Sequence, residues 1–274
     1  MAKGDGGEMK HVVSFSGGKD STAMLLRLLE EKYPVDDIVF FDTGWEFPEM
    51  ANHVQKVQKY IGREITVLKP EISFEYEMLH KPIIRRKKGA SDHGQVYRHG
   101  NGWPAMNRRW CTKKKSKSIN KYIKEHHGKG AYQYIGYAAD EIKRTGCGNS
   151  CSGVQVNGVE RLYPLIFDWD MDERACLQYC YDRGFDWDGL YQDFARVSCF
   201  CCPLSRLGEL RTVRRKHPEL WTKMLKWDID MIKRGVNKGF YGYATVHDLD
   251  RRFAQESSLY DYMQQTEQKE MMGE

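Results

Sequence analysis

After a polar, glycine-rich start over residues 1–10, which predicts a disordered leader, the chain turns abruptly apolar. Residues 11–16, HVVSFS, form a short β-branched run bounded by Gly17 and Gly18, the pattern of a buried parallel strand. Over 20–32, Ala23, Met24, Leu25, Leu26, Leu28 and Leu29 spread across one wide face, with Asp20 near the start and Pro34 just past the end, and a helix is expected. The alternation repeats: a strand over 37–44, a helix over 46–61, a strand over 64–70 and, after a long polar interval, a strand over 131–138. Strands alternating with helices of this length predict βαβ units, hence an α/β fold with a doubly wound, Rossmann-like parallel sheet.

Beyond Leu165 the period becomes helical, over 170–183, 205–217 and 219–234. In the last stretch Leu220, Met224, Trp227 and Met231 form one stripe beside Trp221, Leu225, Ile229 and Ile232. A nucleotide-binding type of domain over 11–165 and a smaller helical C-terminal lobe over 166–274 are therefore expected. The interval 81–118, rich in Lys, Arg and Gly, is too long for an ordinary connection in a compact domain and predicts a mobile flap.

Composition narrows the classes. At 41% hydrophobic and 12% aromatic residues over 274 positions, wholesale disorder is excluded. No stretch approaches the roughly 18 to 20 apolar residues of a membrane helix and no signal-peptide core is visible, so no membrane partner and a cytoplasmic location are expected. In that compartment eight cysteines read as metal ligands or redox groups rather than a disulfide framework. The net charge of +5 is modest, but basic residues fall into blocks: Arg85 to Lys88, Arg108 to Lys115, and Arg211 to Lys216, interleaved with Tyr97, Trp103 and Trp110. Such a surface suits a phosphate backbone; a solvated face, or charges for a small phosphorylated substrate, is the competing explanation.

The chemistry concentrates where the first strand meets the first helix, at Phe15-Ser16-Gly17-Gly18-Lys19-Asp20-Ser21. A helix N-terminus there offers unpaired N–H groups and positive dipole to an anion, two glycines let the backbone approach it, and Ser16, Ser21 and Lys19 supply hydroxyls and charge. It is not the Walker loop, because Val13 stands at that motif's first glycine and Asp20 at its Ser/Thr. The segment resembles, residue for residue, the SGGxDS signature of the PP-loop ATP pyrophosphatase, or adenine nucleotide alpha hydrolase-like, superfamily. Phe41-Asp42-Thr43-Gly44 with Phe47-Pro48-Glu49, and Gly136 to Glu141 with Arg144, are similar to segments of its phosphoadenosine phosphosulfate (PAPS) reductase branch.

The resemblance covers roughly residues 10–205. It implies that Ser16, Gly17, Gly18, Lys19, Asp20, Ser21, Asp42, Gly136 and Arg144 bind ATP, and that Lys19 and Asp20 act on the departing pyrophosphate together with Mg²⁺. Cys199-Phe200-Cys201-Cys202-Pro203 contains a CxxCP, a spacing that lets two thiolates share a metal or remain buried as small hydrophobes. In cluster-bearing relatives such a pair joins an upstream cysteine pair, reduced here to one, which leaves Cys111, Cys199 and Cys202 as matched ligands of a [4Fe–4S] cluster, with Zn²⁺ the rival and the fourth place either taken by Cys201 or Cys147 or absent. Cys176 and Cys180, four apart on a predicted helix, are expected in the core; Cys147 and Cys151 lie in a glycine-rich loop.

The function this implies is an AMP- and pyrophosphate-forming enzyme that adenylylates a nucleic acid (tRNA or DNA) or nucleotide for sulfur transfer, with a sulfur-donor protein as partner. The alternatives are a sulfonucleotide reductase, against which stand an intact loop and the position of the last cysteine, Cys202, and a non-catalytic ATP-binding sensor or partner subunit.

Overall fold

The structure, a computed structural model, describes residues 9–86, 88–89, 91–128, 130–146, 153–156, 158–236 and 239–256. The chain divides into two compact units, one of residues 1–71 and 111–199, the other of 72–110 and 200–274.

The first unit is built on a six-stranded sheet. Its strands in chain order are β1 (His11–Phe15), β2 (Asp37–Phe41), β3 (Thr66–Leu68), β6 (Tyr132–Ile135), β7 (Gly153–Val156) and β8 (Val159–Leu162); the intervening β4 and β5 belong to the other unit. The spatial order is β3-β2-β1-β6-β8-β7, parallel throughout except for the edge strand β7, which runs antiparallel to β8. Val13 faces Ile38 on one side and Tyr134 on the other, which places β1 at the centre. Val12 and Val13 are fully buried, as a strand covered on both faces requires.

The helices of this unit are α1 (Lys19–Glu30), α2 (Pro48–Ile61), most of α4 (Trp110–His127), α5 (Pro164–Phe167), α6 (Glu173–Tyr181) and α7 (Leu190–Asp193), with 3-10 turns at Ala139–Arg144 and Trp187–Gly189. Helix α6 packs along α1. Cys176 and Cys180 are fully buried there, and burial pushes both thiols above the ordinary cysteine range, so they are protonated core residues as expected.

The second unit holds α3 (Phe74–Leu79), an antiparallel hairpin of β4 (Pro82–Ile84) and β5 (Val96–His99), α8 (Leu207–Lys216), α9 (Pro218–Lys233) and a helical stretch over 246–256. Helix α9 buries Trp221, Met224, Trp227, Asp228 and Met231, while Ile229 and Ile232 are exposed, so only part of the expected double stripe faces the core. The Trp103 indole closes this core, donating to Asp228 at 3.2 Å and meeting Phe240 edge-on at 4.8 Å.

The mostly parallel sheet and the helical C-terminal part agree with expectation; the division of the chain differs. Residues 166–199 pack with the sheet, and 72–110 with the last helices, rather than separating at 165. The interval expected as a flap carries the hairpin and, from Trp110, a long helix. Helix α4 escaped notice because its composition is strongly basic and only Ile119 and Ile123 are buried. Of the expected leader, residues 1–8 lie outside the described residues, and Lys10 bonds Asp36 at 2.8 Å. Cys147, Cys151 and Lys87 also lie outside the described residues. No helix among the described residues is long and apolar enough to cross a membrane.

Candidate phosphate-binding site

The strand order reverses between β1 and β6, since the chain runs β1, β2, β3 to one side and β6, β8 to the other. In an open parallel sheet, ligands bind at such a switch point, outside the carboxyl ends of the strands. Ser16–Ser21 follows β1, Gly136 follows β6 and Asp42 follows β2, so the sheet brings the predicted residues to one edge.

The loop is held by its own side chains. Ser21 Oγ accepts from the Ser16 N–H at 3.1 Å, lies 2.9 Å from Ser16 Oγ and donates to the Gly18 carbonyl at 3.0 Å. Gly17 has φ +78°, a left-handed conformation that penalises any side chain, and a Cβ there would also stand 2.4 Å from Met50 Sδ. Gly136 answers a different need: a Cβ would lie 2.8 Å from Ser21 Cα and 2.9 Å from Ser21 N, so β6 and the start of α1 approach backbone to backbone. Gly18 caps α1 without a side-chain bond, and the Asp20 and Ser21 N–H groups have no acceptor among the described residues. These are the donors a phosphate would take.

Behind the loop lies an aromatic buttress. Trp187 donates its indole N–H to the Gly17 carbonyl at 2.7 Å, stacks on His53 at 4.3 Å and meets Tyr191 edge-on at 4.7 Å. Its backbone is left-handed, φ +53°, followed by Asp188 at +51°; the strain of two such residues is borne by this packing. His53 is buried and shares a 2.9 Å hydrogen bond with Thr22 Oγ1. Burial, with a smaller contribution from Lys56, pulls its pKa down to about 3, so the imidazole is neutral and supports the helix rather than carrying charge.

Lys19 is 4% exposed. Its ammonium donates to Glu173 Oε2 at 2.6 Å, stands 3.5 Å from Asp20 Oδ1 and lies 5.6 Å from the Tyr191 ring centre, while its backbone N–H donates to Tyr191 OH at 2.8 Å. Burial works against the charged lysine, but Asp20 and Glu173 outweigh it and hold the pKa above the ordinary value. Asp20 experiences the reverse balance: burial, only partly offset by Lys19 and reinforced by Glu173 and Glu141, raises it to about 6. Asp20 Oδ1 is buried and accepts no hydrogen bond. Glu173 went unnoticed in the sequence because an acidic residue in the first turn of α6, after an Asp172 that caps Ala175 N–H at 2.6 Å, is already explained by helix capping.

The flanking predicted residues follow the neighbouring strands β2 and β6. Asp42 accepts from the Gly44 N–H at 2.8 Å in a tight turn after β2. Arg144 bonds Glu141 and lies 4.1 Å over the Tyr137 ring. The thiols are placed less compactly in the chain. Cys111 lies in the first turn of α4; Cys199 ends the last segment of the first unit, 3.8 Å from Thr43 Oγ1; Cys201 and Cys202 belong to the second unit. Among the described residues no group of three or more His, Cys, Asp or Glu side chains is arranged to hold a metal ion. Magnesium is commonly held by one or two carboxylates plus substrate phosphates, and Asp20 Oδ1, which accepts no hydrogen bond and has the Lys19 ammonium at 3.5 Å, fits that pattern.

A glycine turn with a buried lysine at the switch point of a mostly parallel sheet defines a Rossmann-like α/β protein. The chain belongs to the phosphoadenosine phosphosulfate reductase domain family, whose profile matches residues 10–205, and relatives in it are enzymes. It is similar to two uncharacterized proteins of Methanocaldococcus jannaschii. One is 28% identical over 226 residues, 77% of this chain and 40% of that protein; the other is 27% identical over 242 residues, 81% and 50%. The chain therefore spans half or less of the curated relatives it matches. Among solved structures it is similar to a PAPS reductase from Candida auris in a phosphate complex, with TM-score 0.42 and 17% identity, covering 66% of this chain and 76% of that one. It is also similar to the U34-tRNA thiolase NcsA from Methanococcus maripaludis with its [4Fe–4S] cluster, with TM-score 0.43 and 16% identity, covering 78% and 68%.

Proposed function

We propose that the chain is an ATP pyrophosphatase that adenylylates a nucleic-acid or nucleotide acceptor for sulfur transfer. The observation that carries the reading is the loop itself: Lys19, the Asp20 Oδ1 that it pairs with at 3.5 Å, and the N–H groups of Asp20 and Ser21, which have no acceptor among the described residues, lie together at the start of α1. These groups suit a pyrophosphate, the product that must be stabilised when the α-phosphate of ATP is attacked. An acceptor oxygen forms a bond to the α-phosphorus, the bridge to the β-phosphate breaks, and its electron pair leaves with pyrophosphate. A sulfur nucleophile from a donor protein then displaces AMP from the adenylylated acceptor.

Within that scheme the Ser16–Ser21 backbone binds the β- and γ-phosphates, and Lys19 exchanges Glu173 for phosphate oxygen. Asp42, Gly136 and Arg144 form the rim that receives the rest of the nucleotide. A magnesium ion, when bound, would neutralise phosphate charge, and Asp20 is the residue that would hold it. Cys111, Cys199 and Cys202 as ligands of [4Fe–4S] or zinc rest on spacing and resemblance alone; iron, sulfide and zinc analysis of anaerobically purified protein tests them. A cytoplasmic location is part of the same reading.

The test is pyrophosphate release from ATP, with and without RNA or DNA, by wild type and Lys19→Ala. Release by wild type that is lost in the variant is the expected result. Sulfite formation from PAPS and a thiol donor, with no pyrophosphate from ATP, would overturn the reading in favour of a reductase.

A further inference from the structure

The β4–β5 hairpin of the second unit carries a charge arrangement unlike that of the phosphate loop. Tyr97, 44% exposed on β5, has two guanidinium groups near its ring, Arg85 at 4.5 Å and Arg98 at 5.6 Å from the ring centre. Arg85 is neutralised by Asp92 at 2.9 Å. Arg98 and Arg108 are not: among the described residues neither pairs with a carboxylate, and the Nε atom of each is buried without a hydrogen-bond acceptor. Among the described residues the only side-chain hydrogen bond of Arg108 goes from Nη2 to the Trp103 carbonyl, at 3.0 Å. The two cations feel each other, since burial and then the Arg98 charge hold Arg108 below its ordinary pKa.

Partly desolvated guanidinium groups with orphaned donors are costly unless an anion completes them. A guanidinium matches a phosphate in geometry as well as charge. Beside it, Tyr97 presents a ring that two arginines have already oriented, and exposed Arg86, Lys88 and Arg109 extend the positive surface. A phosphate site next to an exposed aromatic face is the chemistry of single-stranded nucleic acid, whose unpaired bases are available to stack.

We propose that the β4–β5 hairpin is a clamp for single-stranded nucleic acid, in which Arg98 and Arg108 hold backbone phosphates and Tyr97 stacks on a neighbouring base. This rests on the reading that the acceptor is a nucleic acid and names the residues that would receive it. The groups are set for a backbone rather than for the nucleotide at Ser16–Ser21, so the two sites are separable by mutation.

The experiment measures anisotropy of 5′-labelled single-stranded RNA and DNA, with duplex and inorganic phosphate as competitors, over about 50 to 200 mM salt. Arg98→Met with Arg108→Met keeps the apolar stems and should weaken single-strand binding about tenfold or more, lowering the salt slope by about 1 to 2. Tyr97→Ala should weaken it about 5- to 150-fold with the slope unchanged, and Tyr97→Phe should restore it. All variants should bind ATP as wild type does, which doubles as the check that they are folded. Unaltered oligonucleotide binding by the double arginine variant, equal preference for duplex, or displacement by inorganic phosphate as effectively as by oligonucleotide would overturn the clamp. Pyrophosphate release without oligonucleotide binding would sink the clamp and spare the ATP reading; arginine-dependent oligonucleotide binding without pyrophosphate release would do the reverse.

Discussion

The phosphate loop and the β4–β5 hairpin both present cations, yet the protein treats them in opposite ways. Lys19 is compensated from within, by Glu173 at 2.6 Å and Asp20 at 3.5 Å, whereas Arg98 and Arg108 have no carboxylate partner among the described residues. A compensated cation stabilises the unliganded fold and must change partners when ligand arrives. An uncompensated pair burdens the unliganded fold and gains all its partners from the ligand. Removing a cation should therefore have opposite effects on stability in the two regions.

The largest effect is expected at Lys19. Lys19→Ala should lower pyrophosphate release about 100-fold or more, a loss of the size seen when one transition-state donor is removed. It should also destabilise the unliganded protein by about 1 to 2 kcal/mol, discounted because Glu173 is partly exposed, as read by denaturant titration. A Lys19→Ala protein more stable than wild type would break the contrast.

Next come the glycines. Gly136→Ala forces a methyl group against the Ser21 backbone and should cost about 1 to 3 kcal/mol, with weakened ATP binding. Gly208→Ala, in the second unit, has nothing within 4 Å and no positive φ, and should be neutral or stabilising by about 0.5 kcal/mol. Thermal melting of the pair separates close approach from mere chain flexibility.

Asp20 supplies a pH signature. Its pKa is about 6 in the fold and 3.8 without it, so the folded state holds this proton more tightly. Its contribution is fully favourable below about pH 4 and is lost as pH rises through 6, a change on the order of 3 kcal/mol. Asp20→Asn should flatten that part of the stability profile; an unchanged slope would remove Asp20 as its source. The smallest effect is expected at the hairpin, where Arg98→Met should raise unliganded stability by a few tenths of a kcal/mol by relieving repulsion from Arg98 on Arg108.

Legibility in the sequence followed the length scale of the interactions. The loop could be read because a strand ending, two glycines and a helix start are contiguous, and the same holds for β1, β2, α1 and α2. Glu173, Trp187 and Tyr191 reach the loop from more than 150 positions away, through the packing of α6 and the turn before α7, which no local pattern encodes. The hairpin was hidden differently: β4 and β5 are three and four residues long, and Arg98 on β5 reads as one more member of a basic stretch. Only pairing across the strands and a buried Nε without an acceptor separate Arg98 from its neutralised neighbour Arg85.

The strained turn at Trp187 has an optical consequence. An indole whose N–H is fixed to the Gly17 carbonyl, with His53 on its face and Tyr191 at its edge, emits from a dry and rigid setting. Any rotation of the Gly17 peptide as phosphate enters must break or redirect that hydrogen bond. Trp187 is thus an intrinsic fluorophore wired to the loop, and its emission, isolated by comparison with Trp187→Phe, offers a label-free clock for nucleotide arrival.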